Sequence, residues 1–206
     1  HVVLACVLPR SRSTHRNRAH RAHRNRAKAA RRIASSRNVP IPFALTAMTA
    51  KLIDGRALAR RVRSEYRTRV ERLAARHGRV PGLAVILVGD DPASQVYVSH
   101  KTRACSEVGL QSHVHRFGTD VSQAEVMHCI AALNSDLSIH GILLQLPLPK
   151  HFDLPVVLGA IARDKDVDGF HLYNVGALVA GDAVFPPCTP YGVQKLLEAE
   201  GIPVAG

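Results

Sequence analysis

The run Leu83-Ala-Val-Ile-Leu-Val88, followed at once by Gly89-Asp90-Asp91-Pro92, decides the fold class of this 206-residue chain. Six apolar residues without a polar interruption describe a strand buried on both faces, since a strand with one wet face would alternate. Asp91 and Pro92 then mark a helix start: the aspartate caps unpaired N–H groups, and a proline in the first turn loses no hydrogen bond. That helix is expected to continue to about Val108 and to stop at Gly109. Upstream, Leu58, Val62, Tyr66, Val70 and Leu73 recur at helical spacing between Gly55 and Gly78, giving a long amphipathic helix with arginines on its wet face. Downstream, a strand is expected near Ser112 to Phe117, a helix near Ser122 to Leu133, and a strand from Gly141 to Leu146. Apolar strands joined by helices imply an α/β fold, a parallel sheet with helices on both faces.

Charge divides the chain. Residues 1–47 hold ten Arg, one Lys and no acid, whereas residues 48–206 hold 17 basic and 16 acidic side chains, so the net +12 belongs almost wholly to the first segment. This arm repeats HRNRAHRAHRNRA imperfectly (residues 15–27), lacks hydrophobic periodicity and is expected to be disordered. Three readings compete for it. A mitochondrial leader is Arg-rich and acid-free, but here the arginines crowd into runs instead of lining one helix face. A nucleic-acid-binding tail would have one aromatic, Phe43, to stack on. The favoured reading is upstream sequence preceding a start at Met48. No apolar run approaches the ~20 residues of a membrane span. Cys6, Cys105, Cys129 and Cys188 show no paired framework, which fits a reducing compartment. Twelve histidines are scattered, and only His113 and His115 would share a strand face, so no metal site is expected.

In an open α/β sheet, function collects at the carboxyl ends of the strands. Gln145 ends its strand there. Tyr97 and Lys101, four apart on the preceding helix, place a ring and an ammonium on one face. By themselves they read as a solvated face with a snorkelling lysine. Asp168 before Gly169 reads as the cap of a tight turn, and Asp164 and Asp166 as turn residues. His100 is expected on a different helix face from Lys101. Pro187-Cys-Thr-Pro190 reads as a rigid corner, with Thr189 capping a helix that opens at Pro190.

Three segments change the weight of those readings: Ser94-Gln-Val-Tyr97-Val-Ser-His-Lys101, Gly141-Ile-Leu-Leu-Gln145-Leu-Pro-Leu-Pro149, and Asp164 to Gly206 with its Val-Asp168-Gly and Pro-Cys188-Thr-Pro motifs. In order and spacing, from about Met48 onward, they resemble the bifunctional methylenetetrahydrofolate dehydrogenase/methenyltetrahydrofolate cyclohydrolase family. Leu172 and Ala177 depart from that family's common Pro and Arg. The resemblance implies one-carbon metabolism: NADP-dependent oxidation of methylenetetrahydrofolate to methenyltetrahydrofolate, then hydrolysis to formyltetrahydrofolate. It implies that Lys101, Gln145, Tyr97 and Asp168 are catalytic, with Asp168 on the amino-pyrimidine edge of the pterin. Ser94, Leu146, Pro147, Gly169, Pro187 and Cys188 are implied as substrate-binding.

The chemistry explains those residue types. Oxidation leaves a methenyl cation, and water adding to its carbon needs a base. A lysine serves as base only when neutral, a form favoured by desolvation beside a cationic ligand. Gln145 can hold Lys101 without the opposing charge that would keep it protonated. The resemblance divides the chain into the arm (1–47), a folate-binding catalytic domain (48–189), and a linking helix with the lead-in to a Rossmann-type NADP-binding domain (190–206). No GxGxxG-like fingerprint occurs in the chain, so no NADP-binding residue is expected within it, and the dinucleotide domain is expected to be missing by truncation. The resemblance further implies a homodimer in the full-length family and a cytoplasmic location, or a mitochondrial one if the arm is a presequence. Two other readings remain: a truncated, non-catalytic folate-binding remnant, or an Arg-rich nucleic-acid-binding protein.

Overall fold

The computed structural model describes residues 50–204, and the expectations for residues 1–47 lie outside them. The apolar run forms the central strand β1 (Gly82–Val88), every residue of which is buried. It pairs in parallel with β2 (Gln111–Phe117) on one side and β3 (Ile139–Gln145) on the other, giving the order β2-β1-β3. The alternation of side chains along β1 feeds two separate cores. Leu83, Val85 and Leu87 join one cluster, whereas Ala84, Ile86 and Val88 join the other.

The first cluster is closed by Val70 of α1 (Gly55–His77) and by Val98, Ala104 and Cys105 of α2 (Pro92–Glu107). The second is closed by Val126, Ile130 and Leu133 of α3 (Gln123–Ser135) and by Val157 of α4 (Leu154–Ala160). Helices therefore cover both faces of a parallel sheet, as the sequence implies. Their ends follow local chemistry. The Asp54 carboxylate accepts from the N–H groups of Arg56 and Ala57, and Gly78 closes α1 at φ +65°. The Asp91 carboxylate accepts from Ser94 N at 2.7 Å, and Pro92 opens α2. Ser122 and Glu125 form a reciprocal capping box at α3.

Two boundaries differ from expectation. β3 begins at Ile139, two residues earlier than the spacing suggests, because a register shift between Gly82 and Leu83 lets Ile139 pair before the regular ladder starts at Gly141. Beyond α5 (Leu172–Val179), the last described helix, α6 (Cys188–Ala199), starts two residues before Pro190. Pro187 is its N-cap and no side chain caps it, so Thr189 is not the cap. Pro190 can lie inside the helix because its missing N–H falls in the first turn, where donors lack intrahelical partners anyway.

Candidate active site

A cavity of about 510 Å³ opens at the carboxyl end of β3. Helix α2 turns Val98, Ala104 and Cys105 into the core, which leaves Tyr97, His100 and Lys101 toward the cavity. Gln145 enters it from the last position of β3. Lys101 Nζ donates to Gln145 Oε1 at 3.2 Å. The amide is itself held, since Gln145 Nε2 donates to Leu146 O at 2.7 Å, which fixes its oxygen toward the lysine. Residues distant by 44 positions are thus joined by sheet and helix together.

The acidic turn reaches the same cavity by running beside β3. Ile142 N donates to Lys165 O at 2.7 Å, and Ile142 and Asp166 form a parallel bridge. Asp166 is buried and fully occupied: its carboxylate accepts from Gly169 N at 3.1 Å, His171 N at 2.8 Å and Asn174 Nδ2 at 2.9 Å. It is a structural residue, as the turn reading holds for it. With Asp166 taking the turn's N–H groups, Asp168 is left to face the cavity. Burial pushes the Asp168 carboxyl above the usual carboxylate range; the Lys101 charge and a hydrogen bond from the Cys188 thiol oppose that rise, while Asp166 adds to it. Gly169 sits at φ +69°, and a Cβ there would lie 2.3 Å from Phe185 O, so only glycine lets the 185–187 segment close over the turn. That segment brings Pro187 and Cys188 into the wall, where the single Cys188 thiol proton is within reach of Val167 O, at 3.4 Å, as well as of the Asp168 carboxyl.

Of the ten residues anticipated from sequence, the cavity gathers Tyr97, Lys101, Gln145, Asp168, Pro187 and Cys188. Four expected at the substrate do not border it. Ser94 is buried, with its N–H on Asp91 and its hydroxyl donating to Leu146 O at 3.4 Å. The Leu146 side chain packs into the cluster on the opposite face of the sheet. Pro147 follows it through a cis peptide and lies outside the cavity, and Gly169 is buried beneath Phe185. These four support the wall without forming it. His100, placed elsewhere by its offset from Lys101, does line the cavity, as do Phe170, Thr189 and Pro190. The signal for His100 was its i,i+3 spacing from Tyr97, which puts the two side chains side by side.

Residues 53–168 match the family described as tetrahydrofolate dehydrogenase/cyclohydrolase, catalytic domain. The chain belongs to this family. Among its relatives, the bifunctional protein FolD of Nitrosospira multiformis is 57% identical over 159 residues, covering 77% of this chain and 55% of that protein. The FolD protein of Bordetella bronchiseptica is 55% identical over 159 residues, covering 77% and 56%. Among solved structures, the Campylobacter jejuni bifunctional FolD methylenetetrahydrofolate dehydrogenase/cyclohydrolase superposes with a TM-score of 0.73 at 46% identity, over 76% of this chain and 55% of that one. The Trypanosoma brucei methylenetetrahydrofolate dehydrogenase-cyclohydrolase, complexed with NADP and an inhibitor, gives 0.74 at 34% identity, over 76% and 54%. The chain thus spans little more than half the length of these relatives.

The turns that follow the three strands do not fit a dinucleotide. A pyrophosphate needs a glycine-rich turn from strand to helix with free N–H groups. After β1, Gly89 is followed by Asp90 and Asp91, and the Asp91 carboxylate already occupies the α2 N-terminus. After β2 the turn carries Asp120, and Ser122 and Glu125 fill the α3 N-terminus. After β3 comes Leu146-Pro147. The first two turns are acidic and self-capped, the third holds a proline that has no N–H, and Asp153 fills the N-terminus of the helix that follows it. Among the described residues no three His, Cys, Asp or Glu side chains converge on a metal position, and no helix is long and apolar enough to cross a membrane.

Proposed function

We propose that this chain is the folate-binding part of a methylenetetrahydrofolate dehydrogenase/cyclohydrolase and that its cavity carries out the hydrolysis of the methenyl group. The observation that carries the reading is the 3.2 Å contact from Lys101 to the neutral Gln145 amide, within a cavity that also holds Tyr97 and Asp168. Residues 48–189 make up this folate domain, and residues 190–206 lead toward a dinucleotide-binding part. NADP-dependent oxidation is assigned to the longer protein, in keeping with the two-activity names of the relatives. The reading also places the longer protein in the cytoplasm as a homodimer.

In this reading the Asp168 carboxylate accepts N–H groups from the amino-pyrimidine edge of the pterin, and Tyr97 offers its ring to the aromatic part of the ligand. Lys101 Nζ, in its neutral form, takes a proton from water as the water oxygen bonds to the methenyl carbon. The carbon–nitrogen bond then breaks as the lysine passes its proton to the departing nitrogen and the adduct's hydroxyl proton is released to water, which leaves the neutral formyl product and one free proton. Gln145 aims Lys101 by accepting one of its hydrogens, and as an amide it adds no negative charge to oppose proton release.

Methenyltetrahydrofolate hydrolysis and binding should be measured with the chain and three variants. Lys101→Met should lower hydrolysis by about two to four orders of magnitude, the usual contribution of a positioned acid–base group, while binding stays within about tenfold. Lys101→Arg should fail nearly as badly, because a guanidinium does not give up its proton. Gln145→Glu should depress the same rate by holding Lys101 charged. Hydrolysis at the unaltered rate in folded Lys101→Met would refute the assignment. Binding without hydrolysis in the unaltered chain would favour the non-catalytic folate-binding reading instead.

A further inference from the structure

We propose that His100 is a specificity residue of this cavity, one that receives the carboxylate end of the ligand. The inference deepens the folate reading and rests on it. The cavity has an inner and an outer end. Lys101, Gln145, Asp168 and Cys188 are half-buried, whereas Tyr97 is 62% exposed, Phe170 is 42% exposed, and His100 is exposed with them. A folate is long and polar at both ends: a pterin with a donor edge, an aminobenzoyl ring, then a glutamate with its carboxylates. With the pterin at Asp168 and the ring on Tyr97, the glutamate leaves through the outer end. His100 is beside Tyr97 there, three residues on along α2.

The charges available leave His100 for this role. Lys101 and His100 are the two cavity-lining side chains able to carry positive charge. Lys101 already donates to Gln145 and faces the Asp168 carboxylate. The inner polar groups have partners in the protein, but His100 has no hydrogen-bond partner among the described residues. An imidazole at a wet mouth can donate from either ring nitrogen and can take a positive charge, both suited to a carboxylate. The remaining outer residues, Phe170, Thr189 and Pro190, bring no charge.

The test is a calorimetric titration of the chain with two stable probes, 5-formyltetrahydrofolate and a counterpart in which a neutral carboxamide replaces the glutamate, 5-formyltetrahydropteroamide. The unaltered chain should bind the first more tightly. His100→Ala should weaken the first by about three- to tenfold, as for one partly exposed charge-assisted hydrogen bond, and leave the second unchanged. His100→Arg should restore the preference. Equal weakening of both probes would show a merely structural role, and no weakening of either would show that the carboxylate goes elsewhere; each result overturns the proposal while leaving the folate reading in place. If the unaltered chain binds neither probe, the folate reading fails and takes this inference with it.

Discussion

The two faces of the sheet draw on the same strands but dispose of their polar groups in opposite ways. On the α3/α4 face, polar side chains are consumed in fastening the protein. Asn134 donates to Ala160 O at 2.8 Å and accepts from Ala162 N at 2.9 Å, tying the end of α3 to the end of α4. Lys165 Nζ donates to the carbonyls of Leu133, Asn134 and Asp136 at 2.9, 2.7 and 2.8 Å, supplying donors to the α3 C-terminus. On the α1/α2 face, apolar burial is just as complete, with Leu83, Val85, Val98 and Val108 each 0% exposed. There, however, Lys101 and Asp168 are oriented without being fully satisfied. A site needs groups whose hydrogen-bonding capacity is held in position but left available, and that is the difference between the faces.

This contrast can be broken by substitutions that leave their own face. On the α3/α4 face, Ile130→Ala removes a fully buried side chain and should cost about 2–5 kcal/mol in chemical denaturation. Folate affinity measured well below the denaturation midpoint should stay unchanged; a large loss of affinity would mean that the two faces are coupled. Lys165→Met strips three carbonyls of their donor and should cost about 1–3 kcal/mol, again without weakening the ligand. Because Lys165 lies three residues from Asp168, this is the sharper trial of independence.

The smallest effect has the opposite sign. Burial raises Asp168 above its ordinary range, so the folded chain holds that proton more tightly than the unfolded chain does. The resulting penalty is absent below the ordinary aspartate pKa, grows as pH rises, and is complete above the raised value. Asp168→Asn should therefore raise the melting temperature at neutral pH by about 2 °C, and the gain should vanish as pH falls below the ordinary carboxylate range. The same variant should lose folate affinity. A lowered melting temperature at neutral pH would show that Asp168 stabilises the fold and is not held at a cost for function.

Much of the fold was legible because its signals are local. Asp91-Pro92 and Ser122 with Glu125 announce helix starts wherever they occur, and an apolar run such as 83–88 leaves little choice but burial on both faces. The site was legible in part. Tyr97 and Lys101 share a helix face by spacing alone, and Gln145 ends a strand, so these three could be placed before any contact was known. Residue type alone suits both Asp166 and Asp168 to a turn before Gly169, and it was the resemblance that set Asp168 apart for the pterin. The choice depended on which carboxylate met the N–H groups of Gly169 and His171.

Sequence by itself determined the α/β class and the helix and strand order, because periodicity and capping act over a few residues, and its resemblance to a known family singled out Lys101, Gln145 and Tyr97. Tertiary structure decided which polar residues face the cavity. Ser94 and Leu146 carry the right types in the right motif but turn into the protein, while His100 turns out of it. The reason is physical: a side chain's environment is set by the elements packed against it. Here those elements are β3, the 165–169 segment beside it, and the 185–190 segment that closes over Gly169. These are long-range neighbours, and no local pattern in the sequence encodes their approach.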